Sequence, residues 1–338
     1  MAILGRRRER ELGVGSHRFP IRLTRHSWRR QFRILIICLA LVAILPPIFF
    51  HFRLKNFRQA QFKKCSWLSS PPLVCAHGGD LSKAFANTMA AYQDALRSQV
   101  DCIEIDVSRS SDGVLLALHD RDLQRISGDG TSRVGHLSIK EIKELESTRQ
   151  SSLKFADSKV LTAAEALKSV SRSVRQVILD AKVSPPSYES GLAKDILSAV
   201  EMTECNNCLV WAKNDDLVRE VIKLSSNLTV RTSHFSLFFR FQDSYIVMKD
   251  PSTGLRSNLL RVKGAGVVGV SHPLIDDRLM RTLHSAKKKV YAWTVDDLDS
   301  MQKMLYEHVD AIVTSKPTVL QHLMQNIGTQ CLEEGYSF

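Results

Sequence analysis

An α/β chain is predicted, built as a (β/α)8 barrel with a small inserted subdomain and preceded by an N-terminal transmembrane helix. Three observations lead there. Short apolar strand-like runs alternate with helix-like stretches from Leu73 to Val313, and alternation on that scale favours a parallel sheet. The 338 residues suit one large barrel with an appendage. Phe32 to Phe52 is overwhelmingly apolar and about as long as a bilayer crossing requires. A doubly wound open sheet is the competing arrangement, but no Gly-rich phosphate fingerprint follows the first strand. The barrel is preferred.

Taken in order, residues 1–31 read as a basic cytosolic tail, 32–52 as the anchor, 53–70 as a basic linker, 71–325 as the barrel and 326–338 as a C-terminal tail. The formal charge of +12 is concentrated at the front. Residues 1–33 hold ten Arg against Glu9 and Glu11, and Arg53, Lys55, Arg58, Lys63 and Lys64 follow the apolar run. The remainder is close to neutral, so the basic balance says nothing about the substrate. With no recognised nucleic-acid module beside it, no nucleic-acid partner is expected.

The apolar run is long for a signal peptide, starts late and lacks an obvious small-residue cleavage site. Pro46-Pro47 within it is expected to kink or end the helix early. By the positive-inside rule the Arg-rich tail stays cytosolic. The chain is then a single-pass membrane protein whose barrel is lumenal or extracellular. Asn227-Leu228-Thr229 is a glycosylation acceptor usable only on that side.

Of the seven cysteines, Cys38 falls in the anchor. A lumenal setting permits disulfides. Cys205-Asn206-Asn207-Cys208 reads as two ordinary thiols before a strand, since one Cys-x-x-Cys with no second pair is poor evidence for zinc. Cys75 and Cys102 sit in apolar strands, where a free Cys behaves as a small hydrophobe.

Strands are expected at Leu73–Ala76, Cys102–Val107, Val114–Leu118, Val177–Leu179 and Leu209–Ala212, then at Leu228–Thr232, Val267–Val270, Val290–Thr294 and Ala311–Val313. Ile139–Leu145 and Leu161–Val170 read as helices, the second capped by Thr162 with Glu165 three residues on. Residues 235–265, with Phe235, Phe238, Phe239 and Phe241, fit no clean element. Those rings read as core packing, with a lipid-facing lip as the alternative. In a strand, residues two apart share a face, so Glu104 and Asp106 project together. The runs ending at Ala76 and Leu118 deliver His77 and His119. Two histidines and two carboxylates at strand ends suit an acid–base, metal-assisted hydrolase.

In order, the chain carries Ala76-His77-Gly78-Gly79, Asn87-Thr88, Glu104-Ile105-Asp106, Asp112-Gly113, His119-Asp120, Leu123 and Arg125. This ordered set resembles the glycerophosphodiester phosphodiesterase family, most nearly its membrane-anchored plant type. The resemblance implies a (β/α)8 barrel with an insertion at about residues 108–160. It implies that His77 and His119 share acid and base duty, and that Glu104, Asp106 and Asp180 hold Mg²⁺ or Ca²⁺. Lys182, on the strand face of Asp180, would contact phosphate, and Trp293 in Trp293-Thr294-Val295 would pack against the glycerol or head group. The implied reaction splits sn-glycerol-3-phosphate from the alcohol of a deacylated phospholipid such as glycerophosphocholine. The glycerol hydroxyl beside the phosphate attacks first.

Four positions depart from the family pattern. Gly78 stands where an Arg is expected, Ala86 where Glu precedes Asn-Thr, Asp180 where Glu precedes x-Lys, and Asp296 where Asn follows Trp-Thr-Val. Lys83 or Arg121 is available to replace the missing guanidinium. A lysophospholipase D acting on membrane lysolipids and a weakened lipid-headgroup binding module are the alternatives.

Overall fold

Helix α1 (Arg25–Cys65) runs through both Pro46 and Pro47, so the expected early end does not occur. Each proline removes one backbone bond locally, while the surrounding Leu, Ile and Ala residues favour helix on either side. The computed structural model describes residues 25–149, 159–183, 190–231 and 242–336. The chain divides into two units, residues 1–60 and 61–338. In the first, α1 is long and apolar enough to cross a membrane by length and composition.

In the second unit, a 3₁₀ turn at Ser66–Ser69 buries Trp67. The chain then enters β1 (Leu73–His77), α2 (Met89–Arg97) and β2 (Cys102–Arg109). A subdomain follows: β3 (Leu115–Ala117), α3 (Asp120–Ser127), α4 (Ile139–Arg149) and β4 (Leu161–Thr162). Next come α5 (Ala163–Val170), β5 (Gln176–Ala181), α6 (Leu192–Met202) and β6 (Cys208–Ala212). The remainder is α7 (Asp215–Arg231), β7 (Gln242–Val247), β8 (Val267–Ser271), α8 (Asp277–Ser285), β9 (Lys289–Trp293), α9 (Leu298–Tyr306), β10 (Ala311–Thr314) and α10 (Pro317–Glu333).

Eight of these strands are parallel neighbours in the order β1-β10-β9-β8-β7-β6-β5-β2, and β2 pairs back to β1. The sheet therefore closes into a (β/α)8 barrel. β3 pairs antiparallel with β2, and β4 with β3, so the Val114–Leu118 run builds the subdomain and not the barrel wall. The subdomain has its own small core around Leu116, Leu123, Ile126 and Ile142. Thr162 and Glu165 form the reciprocal cap that starts α5.

The alternation of each strand sorts its side chains. Ile103, Ile105 and Val107 of β2 face the helices. Cys75, Cys102, Ile178, Leu209, Trp211 and Tyr291 fill the barrel interior. The indole of Trp211 lies over Gly269, where a Cβ would come within 2.7 Å of it. This apolar plug supports the polar layer above.

One expected strand, Leu228–Thr232, is corrected: α7 continues through Arg231, so its described residues are helical, and Thr232 lies outside the described residues. Leu217, Val218, Val221 and Leu224 give that segment a helical apolar stripe, which a short run at its end only extends. The barrel strand lies later, in β7, inside the stretch that fitted no clean element. Asn227 belongs to α7, but its side chain lies outside the described residues, as do Phe235, Phe238, Phe239 and Phe241.

The cysteines expected to be free are paired. Cys75 and Cys102 are register partners on β1 and β2 with Cα atoms 4.4 Å apart, and they form a disulfide inside the barrel. Cys205 and Cys208 are bonded just before β6. Cys65 at the end of α1 is joined to Cys331 on α10. Residues 326–333, expected as tail, thus belong to a packed helix.

Candidate active site

The site is assembled at the C-terminal ends of the barrel strands, the face on which such barrels carry their chemistry. His77 ends β1 and is in register with Glu104 on β2. Asp106 is two residues farther along β2 and directly opposite Asp180 on β5. Lys182 follows Asp180, its backbone N–H donating to the Val107 carbonyl and extending the ladder. Parallel register alone therefore brings four side chains from three strands together.

Glu104, Asp106 and Asp180 are all buried, and each offers a carboxylate oxygen within 4.8 Å of the others. Burial, then the charges of Asp106 and Asp180, pushes the Glu104 carboxyl well above its usual range. Burial acts upward on Asp106 too, but Lys182, His77, His119 and Arg121 outweigh it and hold that carboxylate low. Lys182 Nζ lies 2.6 Å from Asp106 Oδ1 and is also paired with Asp180. Its ammonium stands where a cation between those carboxylates would sit. Burial opposes that charge, but Asp180, Asp106 and Glu104 raise the ammonium's pKa above normal. Three converging, desolvated carboxylates fit a divalent metal ion, which is a hard cation preferring oxygen ligands.

The histidines face this cluster from two sides. His77 Nε2 is 3.8 Å from Glu104 Oε2, and burial lowers its pKa. His119 is the N-cap of α3; its Nδ1 accepts from the Arg121 backbone N–H at 3.2 Å. That bond leaves Nε2 as the atom able to exchange a proton with a ligand. Burial takes the His119 pKa down to about 4. Burial thus disfavours the charged form of both rings in the free chain.

Residues that sequence reasoning quoted without a role, or did not assign to the site, complete the framework. Asn87, at φ 60°, donates to Asp106 Oδ2 at 2.8 Å and accepts from the Asp106 backbone at 3.1 Å. The Gly78 N–H donates to Glu104 Oε2 at 3.1 Å. Gly78 has φ +66°, and a Cβ there would fall 2.9 Å from that of Ala86. Two of the departures from the family pattern thus touch each other. Ser315 Oγ is 3.4 Å from His77 Nδ1 and bonds Asp296 at 3.0 Å, so the Asp that replaces Asn at 296 is tied to the first histidine. Arg121 contributes a guanidinium 3.4 Å from His77 Nε2 and 3.6 Å from Asp106 Oδ2. These links join residues distant in the chain, and only the composition of the Asn-Thr motif hinted at one of them.

Trp293 stands apart from the carboxylates, half-buried at the end of β9 with Lys213 Nζ 5.7 Å from its ring centre. Lys213, Asn214, Lys182, Asp180 and His119 line a pocket of about 390 Å³. That volume is of the size that takes a small molecule.

Fold and site define a (β/α)8-barrel protein with two histidines beside a buried carboxylate cluster. Residues 77–319 match the glycerophosphoryl diester phosphodiesterase family profile. The chain is 54% identical over 305 residues to the glycerophosphodiester phosphodiesterase GDPD4 of Arabidopsis thaliana, covering 90% of this chain and 89% of that one. It is 25% identical over 260 residues to a glycerophosphodiester phosphodiesterase of Caldanaerobacter subterraneus, covering 76% of this chain and 99% of that one. The same barrel is found in the crystal structure of a glycerophosphodiester phosphodiesterase from Parabacteroides distasonis. The TM-score is 0.60 at 19% identity, with 75% of this chain and 97% of that chain covered. It recurs in an Oleispira antarctica phosphodiesterase solved with its product sn-glycerol-3-phosphate, at TM-score 0.57 and 21% identity, covering 75% of this chain and 97% of that one. The chain belongs to the glycerophosphoryl diester phosphodiesterase family, and it is an enzyme.

Proposed function

We propose that the chain hydrolyses glycerophosphodiesters such as glycerophosphocholine to sn-glycerol-3-phosphate and an alcohol, with His77 and His119 as acid and base. The observation that carries this reading is the gathering of both histidines around the carboxylates. A module that only bound a head group would need neither ring. The substrate's glycerol hydroxyl attacks phosphorus as one imidazole takes its proton. The P–O bond to the head-group alcohol breaks as the other imidazole protonates the leaving oxygen. Water then opens the cyclic phosphate with the roles exchanged. Burial disfavours the charged form of both rings in the free chain, so the acid takes its proton from solvent as the anionic substrate, which carries none, binds beside it.

Glu104, Asp106 and Asp180 would hold Mg²⁺ or Ca²⁺, which supplies charge stabilisation at the non-bridging oxygens when bound. Lys182 orients Asp106 and Asp180 and presents a point charge to phosphate. Trp293 and Lys213 form the rim for the glycerol or head group. We place the chain in a membrane through Phe32–Phe52, with the tail cytosolic and the barrel lumenal or extracellular. The Arg-rich front end and the three disulfides support that placement.

The test uses the full chain in detergent, because a barrel cut at residue 66 would lose Cys65. Glycerophosphocholine and lysophosphatidylcholine are offered with Mg²⁺, Ca²⁺ or chelator, beside His77→Ala and His119→Ala. Metal-dependent release of glycerol 3-phosphate that both variants lose is the expected result. Cleavage of the lysolipid alone would transfer the assignment to a lysophospholipase D. Equal turnover by wild type and both variants would remove the histidines from the mechanism.

A further inference from the structure

A phosphodiester is an anion, and the site that must receive it is lined by three carboxylates. The cation nearest to them, Lys182, is taken up by Asp106 and Asp180. Position 78, beside His77, carries no side chain. A guanidinium able to grip the substrate has to come from elsewhere in the fold.

We propose that Arg121, on the first turn of α3, is the residue that grips the phosphodiester, its guanidinium donating to the non-bridging oxygens between the two histidines. Among the described residues, Arg121 is the one that hydrogen-bonds both rings: its backbone N–H donates to His119 Nδ1 at 3.2 Å, and its Nη2 lies 3.4 Å from His77 Nε2. The Arg121 side chain is 50% exposed, and its contact with Asp106 is a long 3.6 Å. Among the described residues its remaining N–H groups have no protein acceptor. Five donors in a planar fork, held against two acid–base groups and still open to solvent, match two phosphate oxygens.

Arg125 and Arg133 are otherwise engaged, and Lys213 lies across the pocket beside the Trp293 ring. Arg125, one turn on, stacks on Phe85 at 3.5 Å and pairs with Asp122. Arg133 pairs with Asp120, whose other oxygen accepts the Val134 N–H. Lys83 is exposed, and among the described residues no hydrogen bond or ion pair joins it to the site. The cap of α3 sets the Arg121 backbone N–H against the His119 ring. The same turn that fixes the histidine therefore aims the guanidinium.

The assignment rests on the phosphodiester reading of the site, and its test separates the two. The full chain in detergent, with divalent ion present, is compared with Arg121→Ala, Arg121→Lys and, as a control, Lys83→Ala. Readouts are turnover of glycerophosphocholine, affinity for sn-glycerol 3-phosphate by calorimetry, and thermal midpoint. Loss of one charge-assisted contact predicts a fall of roughly 10–100-fold in kcat/KM and in product affinity for Arg121→Ala. Arg121→Lys should recover part of it, and Lys83→Ala should stay within about twofold. Millimolar guanidinium should partly restore Arg121→Ala without stimulating wild type, a response that a merely structural role would not give. If wild type turns over and Arg121→Ala matches it in rate and affinity, the Arg121 assignment is overturned and the enzyme reading stands. If wild type cleaves nothing but binds glycerol 3-phosphate through Arg121, the reverse holds. No binding by wild type sinks both.

Discussion

Asn87 holds Asp106 from two directions, its Nδ2 donating to the carboxylate at 2.8 Å and its Oδ1 receiving the Asp106 backbone N–H at 3.1 Å. Tyr92, itself buried, donates to the same Oδ1 at 3.2 Å. Asn tolerates the left-handed backbone required at φ 60° better than most residues. One side chain thus joins the loop after β1 to the carboxylate layer on β2. Asn87→Ala is expected to leave a buried carboxylate and N–H short of partners, costing about 2–4 kcal/mol. Asn87→Gly relieves the backbone but restores no contact, so it should rescue little. Denaturant unfolding and turnover of both variants check this. Equal stability of Asn87→Ala and wild type would show that Asp106 does not depend on Asn87.

Divalent ions should stabilise the fold as well as switch on turnover. Glu104 is raised well above the usual carboxylate range by burial and by Asp106 and Asp180, so the ion-free site stores unfavourable desolvation and repulsion that a cation relieves. A ligand present at 100 times its dissociation constant adds about 2.7 kcal/mol. The thermal midpoint should rise with Mg²⁺ or Ca²⁺ and fall back on chelation. Asp180→Asn should weaken that response roughly tenfold or more in apparent affinity. A midpoint indifferent to both ions at millimolar concentration would count against the three-carboxylate site.

The Cys65–Cys331 disulfide closes a sequence separation of 266 residues. Both sulfurs are buried, and the bond links the end of α1 to α10. In chain-entropy terms a loop that long restricts the unfolded state strongly, and loss of such a bond typically costs about 2–5 kcal/mol. Cys65→Ser and Cys331→Ser should each lower the thermal midpoint, and the double variant should do no more than either single change. Additive losses would mean that the two residues act separately.

The site's skeleton was legible in the sequence because parallel strands and a period of two place residues by arithmetic. Glu104 and Asp106 share a face, and His77 and Asp180 fall beside them once β1, β2 and β5 are neighbours. The supporting links were not legible. Arg121 meets His77 across 44 positions, and Ser315 meets it across 238; no local pattern encodes such distances. The misplaced strand has a different cause. Leu228-Thr229-Val230 is β-like in composition, but helix α7 reaches it with its apolar stripe intact. β7 opens on polar Gln242-Asp243-Ser244 and shows only Tyr245-Ile246-Val247 as an apolar run. The cysteine pairs were missed because pairing depends on register, which spacing alone does not fix.

Asp243 gives the fold a pH dependence separate from the chemistry. It lies near the start of β7, at the opposite end of the barrel from the histidines, and its Oδ1 has no hydrogen-bond partner among the described residues. Burial raises its pKa from 3.8 to about 7, with a hydrogen bond from Ser225 opposing the shift only partly. Below about pH 4 the carboxyl is neutral in both states and folding bears no charge penalty. Between there and pH 7 the unfolded chain releases its proton while the folded one retains it. The stability contributed by the neutral acid is therefore complete at low pH and lost as pH rises through about 7. Asp243→Asn keeps the shape and cannot ionise. Relative to wild type it should raise the thermal midpoint by on the order of 5 °C at pH 8 and by much less at pH 5. Turnover at fixed temperature should be little changed, because the substitution is remote from the carboxylate cluster. A gain confined to low pH would show that Asp243 is ionised and paired in the folded chain.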